Sequence, residues 1–256
     1  MSWDRQIILK NPAEIAIMRE AGRVNASVHA AIRELLQPGV STADLDAAAE
    51  EVLRKHGAVS PFKGYGYPPF PNSITVSINE ELVHGIPSAK RKLQEGDLVS
   101  VDCGTLLEGY VGDSAFSAGV GKISARAQKL LDVTEQALQQ GIAKMHSGNH
   151  TGDVSAAIQQ YVESHGFFVT REYTGHGVGR NMHEGPQVPN YGKPGTGVLL
   201  RPGMVIALEP MVLVGTSRTK VLADKWTVVS ADGSLTAHFE HSVAVTEGEP
   251  ILLTVL

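Results

Sequence analysis

The stretch VSVDCGTLLEGYVGDSAF, residues 99–116, decides how this chain folds and what its interior holds. Strand-like runs flank Glu108-Gly109, a pair suited to a two-residue hairpin turn. A turn there sets Gly104 opposite Asp113 and leaves Asp102 on the same sheet face, one pleat along. Diagonal neighbours of that kind lie about 7–8 Å apart at the backbone, so their carboxylates can converge on one or two ions. A slip of one residue would send the two acids to opposite faces. The alternate face carries Val101 and Cys103, which read as core, with Cys103 a buried thiol rather than a nucleophile.

Three further segments carry polar residues in the same strand-like, glycine-punctuated setting. They are TGHGVGRNMHEGP (174–186), VIALEPM (205–211) and AHFEHSVAV (237–245), with His176, Glu209 and Glu240. Each residue alone has a plain explanation. Asp102 or Asp113 could serve a turn, Glu209 before Pro210 could be a solvated strand end, and the face shared by His238, Glu240 and Ser242 could be wet. Taken together they form a set. Acids inside apolar strands need a positive partner, and four carboxylates in one interior would repel unless divalent cations held them. Four carboxylates and one imidazole make an oxygen-rich site that suits Mn, Fe, Co or Mg better than a thiolate zinc site does, although Zn also accepts such ligands. Four negative charges balance two divalent ions, and two metals about 3.5–4 Å apart can activate a shared water.

Composition bounds the rest. At 256 residues, 42% hydrophobic, 19% charged and net charge −5, the chain reads as an ordinary soluble protein with room for a large core. The acidic balance argues against nucleic-acid binding by bulk charge. The single cysteine rules out an internal disulfide and fits a reducing cytoplasm. MSWDRQIILK opens the chain without a secretory apolar core, and no run approaches the roughly 18 apolar residues of a membrane helix.

The loops YGYPPFPNS (65–73), GHGVGR (175–180) and YGKPGTG (191–197) are too short and mixed to separate domains, so a single domain spanning residues 1–256 is expected. Asn11-Pro12 reads as the cap and first residue of a helix that Pro38-Gly39 stops. Ser41 with Asp44 opens a second helix that runs to Gly57. Helices are also expected over 123–145 and 151–165. Strands are expected over SITVSI (73–78), over FFVTREY (167–173) and through much of the chain after Met204. Asp232-Gly233 is read as a hairpin turn. Helices with largely antiparallel strands give an α+β class rather than a parallel layout.

Most of the 10 histidines read as structural. His29, His56 and His165 belong to helices or their ends, and are expected at the surface or satisfied. His146 and His150 are four apart, but Ser147-Gly148-Asn149 breaks the helix that metal spacing would need. His238 and His241 flank Glu240 and could support it from behind. His84, in ELVHGIP, and His183, in NMHEGP, sit in loops suited to a cleft rim. Neutral imidazoles there could donate to a developing oxyanion.

These residues carry a family resemblance. Asp102 and Asp113, then GHGVGRNMHEGP, ALEPM and HFEHSVAV, preceded by NSITVSINEELVHGIP (72–87), closely resemble the type I methionine aminopeptidases over nearly the whole chain. The resemblance implies the pita-bread α+β fold, in which two pseudo-symmetric αβ halves surround a central antiparallel sheet and a dinuclear metal centre. By position, Asp102 resembles a ligand of one ion and His176 and Glu209 ligands of the other, with Asp113 and Glu240 bridging. The implied cofactors are two divalent ions (Co, Mn, Fe or Zn). The implied reaction is hydrolytic removal of the initiator methionine from nascent polypeptides when the next residue is small. In it Glu209 handles protons, while His84 and His183 contact substrate. By position Tyr67, Phe70, Thr75, Met182 and Trp226 resemble the lining of the methionine pocket, although each alone reads equally well as loop packing or core. Thr75 and Met182 depart from some family members, which carry a cysteine and an aromatic there, so pocket shape is where this chain differs.

A cytoplasmic protein with no nucleic-acid or membrane partner is expected from the composition, and a monomer from the lack of any coiled coil or extra domain, with transient ribosome contact as a further expectation. A short form without a zinc-finger extension is expected. Two rivals share the fold. Xaa-Pro aminopeptidases and prolidases normally carry an extra N-terminal domain, whereas only two helices and a short strand region precede Asp102. Non-catalytic peptide-binding cousins typically lose metal ligands, and here all five positions are filled.

Overall fold

The computed structural model describes residues 6–256. The first five residues of the expected 1–256 domain, which also begin MSWDRQIILK, lie outside the described residues. Two helices, α1 (Pro12–Leu35) and α2 (Thr42–Lys55), precede strands β1 (Thr75–Ile78), β2 (Glu81–Val83), β3 (Leu98–Leu107) and β4 (Tyr110–Gly119). A second pair, α3 (Ala125–Ile142) and α4 (Thr151–Ser164), precedes β5 (Phe168–Val169), β6 (Thr174–Gly177), β7 (Glu184–Pro189), β8 (Val205–Leu208) and β9 (Met211–Leu213). The chain closes with β10 (Thr219–Val221), β11 (Val228–Ser230), β12 (Thr236–His238), β13 (Glu240–Ala244) and β14 (Ile251–Leu252). The helix pair followed by antiparallel strands thus occurs twice, which is the two-halved α+β arrangement expected from the sequence.

The halves meet in one antiparallel sheet of order β1-β3-β4-β13-β8-β6-β7, with β14 added beside β13. Helix α1 packs on β3 and β4, α3 and α4 pack on each other, and α4 covers β7. Local signals set the helix ends. Asn11 Oδ1 accepts from Ala13 and Glu14 N–H at 2.9 and 3.0 Å, and Glu14 Oε2 accepts from Asn11 N–H at 2.8 Å. Such a cap stabilises a helix by about 1 kcal/mol. Ser41 and Asp44 make the same reciprocal arrangement on α2.

The β3–β4 hairpin has the anticipated turn. Glu108 and Gly109 both have positive φ, 48° and 79°, the left-handed pair that a tight twisted hairpin needs. Gly104 pairs with Asp113 and Asp102 with Ala115. Val99, Val101 and Cys103 point to the helix side and join one core with Val24, Val28 and Ile32 of α1. A Cβ on Gly112 would fall 2.8 Å from the backbone of Gly22, so this pair of glycines lets α1 lie directly on β4. Close approach puts Asn25 against the hairpin. Its fully buried side-chain amide donates to the carbonyls of Cys103 and Gly112, and Ser114 Oγ donates to its Oδ1 at 2.8 Å.

Four expectations need correction. The strand predicted over 73–78 begins at Thr75, because Ser73 and Ile74 give their N–H groups to the buried Asp46 of α2 at 2.9 and 3.1 Å. FFVTREY yields only Phe168–Val169, since its partner β9 is three residues long. Asp232-Gly233 turns the chain but makes no hairpin: β11 pairs with β10 and β2, while β12 pairs with β9. Asp232 instead builds a local turn, accepting from Ser230 Oγ at 2.6 Å and Ser234 N–H at 3.0 Å. His29 is neither a surface residue nor fully satisfied. Its Nε2 is buried without a hydrogen-bond partner, beside Phe116. Among the described residues no helix is long and apolar enough to cross a membrane.

Candidate metal centre

Strand alternation places the polar set on one face of the sheet. Thr75 pairs with Asp102, Asp102 with Ala115, and Ala115 with Glu240, so one row crosses β1, β3, β4 and β13. Paired residues share a face. Asp113, two before Ala115, therefore points the same way. On the other side of β13, Ser242 pairs with Ala207 and Ala207 with His176. Glu209 lies two residues beyond Ala207 and has the same parity. Five residues from five chain segments thus face one space, as their individual strands had suggested.

Asp113, His176 and Glu240 converge most tightly, with one ligand-type atom from each within 4.8 Å of the others. His176 Nε2 lies 3.6 Å from Asp113 Oδ2 and 3.4 Å from Glu209 Oε1. Its Nδ1–H donates to the Gly177 carbonyl at 3.0 Å, which leaves the Nε2 lone pair facing the acids. Asp102 flanks the set from its diagonal position. Asp113 is anchored by Ser242, whose Oγ accepts from Asp113 N–H at 3.0 Å and donates to Asp113 O at 2.8 Å. The wet face considered for Glu240 is absent: His238, Glu240 and Ser242 are all buried.

The electrostatics of this space are those of a cation site. Burial, then repulsion from neighbouring carboxylates, pushes Asp102, Glu209 and Glu240 well above the usual carboxylate range. Burial also raises Asp113, to about 7. Oxygens of Asp102, Asp113 and Glu240 are buried with no hydrogen-bond partner. Unpartnered buried oxygens carry a desolvation cost that a bound cation removes. The donor set therefore fits divalent metal.

His238 stands behind the acids, as expected of a supporting group. Its Nε2 lies 3.8 Å from Glu240 Oε2 and 4.0 Å from Glu209 Oε2. Burial and the nearby His84 hold its pKa down to about 3. His241 faces away, with Nδ1 at 2.8 Å from Thr254 Oγ1.

His183 packs its ring 4.3 Å from that of His176, and the Tyr65 hydroxyl lies 2.8 Å from its Nδ1. Nothing in the local pattern of YGYPPFPNS marked Tyr65, since its partner lies 118 positions away. A cleft of about 690 Å³ opens beside His183, lined also by Pro61, Tyr65, Leu106, Arg180 and Met182. The five metal-type residues do not line it. His84 occupies the left-handed region (φ 60°), and burial lowers its pKa to about 4.

The residues expected to select methionine divide. Trp226 sets its ring edge-to-face with Phe70 at 5.2 Å and with His84 at 6.1 Å, and its Nε1–H donates to Pro68 O at 3.0 Å. Phe70, His84 and Trp226 therefore form one aromatic wall. Thr75 is buried opposite Asp102. Met182 packs into an apolar cluster with Met18, Tyr110 and Val178. Tyr67 is 97% exposed, so its side chain stands in solvent and lines nothing here.

Comparison with known proteins points in the same direction. Residues 16–247 match the metallopeptidase family M24. A methionine aminopeptidase of Clostridium acetobutylicum is 51% identical over 248 residues, covering 97% of this chain and 98% of that protein. The crystal structure of a methionine aminopeptidase from Thermotoga maritima superposes with a TM-score of 0.96 at 44% identity, covering 98% of this chain and all of that one. A prolidase from Pyrococcus furiosus shares the fold, with a TM-score of 0.76 at 21% identity. It is matched over 97% of this chain and 66% of its own length.

Proposed function

The chain belongs to metallopeptidase family M24, and from that premise we propose that it is a methionine aminopeptidase. It removes the N-terminal methionine of nascent polypeptides whose second residue is small. The observation that carries the reading is the convergence of Asp113, His176 and Glu240 within 4.8 Å around buried oxygens that lack hydrogen-bond partners.

Asp102, Asp113, His176, Glu209 and Glu240 would hold two divalent ions, drawn from Co, Mn, Fe or Zn. When bound, such ions supply Lewis acidity toward water and the scissile carbonyl, and neutralise four carboxylates. Glu209 is the proton carrier. It sits just past the end of β8 with Oε1 3.4 Å from His176 Nε2, among the acids that would hold the ions and within reach of a water between them. It accepts the proton of the attacking water and delivers it to the leaving amine.

His183 donates from Nε2 to the tetrahedral oxyanion. The Tyr65 hydroxyl lies 2.8 Å from Nδ1, and with the phenol as donor there the ring proton sits on Nε2. His84 hydrogen-bonds the substrate backbone as a neutral imidazole, since its pKa of about 4 leaves it uncharged at pH 7. The methionine side chain packs on the edge-to-face pair Phe70 and Trp226, and Thr75 and Met182 are assigned to the same pocket by their sequence positions. The departures at Thr75 and Met182 set the shape of that pocket.

The working unit we assign is a single catalytic domain acting as a monomer, in which the five metal-type residues face one space. The compartment is the cytoplasm, which the unpaired, buried Cys103 supports. Substrate arrives during translation, with transient ribosome contact.

The deciding assay strips the protein of metal, reloads it separately with Mn, Fe and Co, and compares Met-Ala-Ser with an Xaa-Pro peptide. Cleavage of Met-Ala-Ser is expected. Preference for the Xaa-Pro peptide would move the enzyme to the prolidase class, and a metal-free protein that binds peptide intact would end the catalytic reading.

A further inference from the structure

One buried ion pair lies outside the carboxylate cluster and beside the residue assigned to the oxyanion. Lys10 Nζ is 2.6 Å from Glu184 Oε2, with side chains only 3% and 2% exposed. Among the described residues no other Lys or Arg meets a carboxylate at comparable depth. A pair like this adds little net stability, because removing both charges from water offsets most of their attraction. What it supplies is fixed geometry.

That geometry is centred on the loop holding His183. Glu184 directly follows His183, and its second oxygen, Oε1, accepts from Asn181 N–H at 3.2 Å. The carboxylate thereby closes a tight turn with Met182 and His183 at its apex. Gly179, at the start of the loop, is pressed on the pair: a Cβ there would lie 2.5 Å from Lys10 Cε and 2.7 Å from the Glu184 carboxylate. Lys10 is itself tied down. Its Nζ donates to Ile8 O at 3.0 Å and its backbone N–H to Gly203 O at 2.8 Å, while Gly203 N–H donates to Val245 O at 3.0 Å. Gly203 leads into β8, whose last residue Leu208 directly precedes Glu209, and Val245 follows β13, which begins at Glu240. The pair therefore spans from the His183 loop to the two strands that position the metal-type acids Glu209 and Glu240.

We propose that Lys10 and Glu184 are positioning residues that lock the 181–184 turn to the β8–β13 framework and so set where His183 and Met182 meet the substrate. The inference rests on the reading of His183 as the oxyanion donor. Neither residue is assigned contact with substrate. The expected consequence is loss of turnover rather than loss of metal, since a shift of about 1 Å in a reacting group can cost about 10²-fold.

The test uses the full chain, reloaded with metal and assayed on Met-Ala-Ser for kcat and KM separately. It needs Lys10→Met, Lys10→Met/Glu184→Met, His183→Ala and Lys10→Met/His183→Ala, with metal content and melting temperature measured for each. Lys10→Met is expected to keep its metal and lower kcat about 10²-fold, with a smaller change in KM. In the His183→Ala background the same change should cost no more than about twofold, because the group it misplaces is already gone. The double Met variant replaces the buried charges by apolar groups, which a core tolerates. It should melt near the parent and still show the kcat deficit, because Asn181 has lost its carboxylate. It also decides the matter should Lys10→Met alone fail to fold. Parental kcat in the double Met variant overturns the proposal. So does an undiminished 10²-fold loss on top of His183→Ala, which marks a general lesion. An unmodified chain that leaves Met-Ala-Ser intact in every metal fails the aminopeptidase reading itself, and the assignment of His183 with it.

Discussion

The hydroxyl of Tyr65 sits 2.8 Å from Nδ1 of His183, joining the aromatic loop after α2 to the loop between β6 and β7. A phenol donating at Nδ1 fixes which imidazole nitrogen carries the proton, and so which one faces the substrate. Replacing Tyr65 by Phe removes the donor and keeps the ring. The expected result is a fall in kcat of about tenfold, corresponding to one hydrogen bond of roughly 1–1.5 kcal/mol, with unchanged metal content. Steady-state kinetics on Met-Ala-Ser check this, and an unchanged kcat would remove Tyr65 from the site.

His183→Ala should retain both metals and lower kcat about 10²–10³-fold, the usual cost of deleting one oxyanion donor. Its ring packs at a tilt against His176, centroids 4.3 Å apart, without belonging to the three-residue convergence, so the cation site should survive. Metal analysis beside kinetics separates the outcomes: loss of metal from this variant would reassign His183 as a ligand.

Asp113→Ala should abolish nearly all activity and release at least one ion. Asp113 is buried at the meeting point of His176 and Glu240, and carries an oxygen with no other partner. Elemental analysis of the purified variant is the check. An active variant with full metal content would refute the assignment.

The metal-stripped protein should lose stability as pH rises from 6.5 to 8.5. Burial raises Asp113 to about 7 and lifts Asp102, Glu209 and Glu240 well above their usual range. A carboxyl raised in the folded state holds its proton there while the unfolded chain has released it. The stability this lends is complete below the unfolded pKa near 4 and disappears as pH climbs through the folded pKa. His29, His84 and His238, depressed by desolvation to about 3, 4 and 3, act in the opposite direction. They do so only below the unfolded histidine pKa of about 6.5, so the window above it isolates the acids. Over these two pH units Asp113 accounts for about 1 kcal/mol, and the other three acids act in the same direction. Thermal melts with and without divalent metal test the sign. Stripped protein that gains stability toward pH 8.5 would contradict the crowded, metal-free carboxylates.

The sequence by itself determined what short-range chemistry controls. Glu108-Gly109 dictated a two-residue turn, and that turn alone fixed the register that places Asp102 and Asp113 on one face. Asn11-Pro12 and Ser41 marked two helix starts to the residue. The chemistry of four acids and a histidine pointed to a cation site before any strand order was known, and the fold brings Asp113, His176 and Glu240 of that set within 4.8 Å. Tertiary structure decided the rest, because it depends on which distant strands pair. Local pattern around Asp232-Gly233 cannot reveal that the strands on either side belong to different sheets. Ser73 and Ile74 look like strand until Asp46 takes their amides. Tyr65 meets His183 across 118 positions, and Lys10 meets Glu184 across 174. A residue's own neighbours encode its backbone preference and the face it presents. Only the folded sheet, which trades chain entropy for long-range packing, brings those faces together.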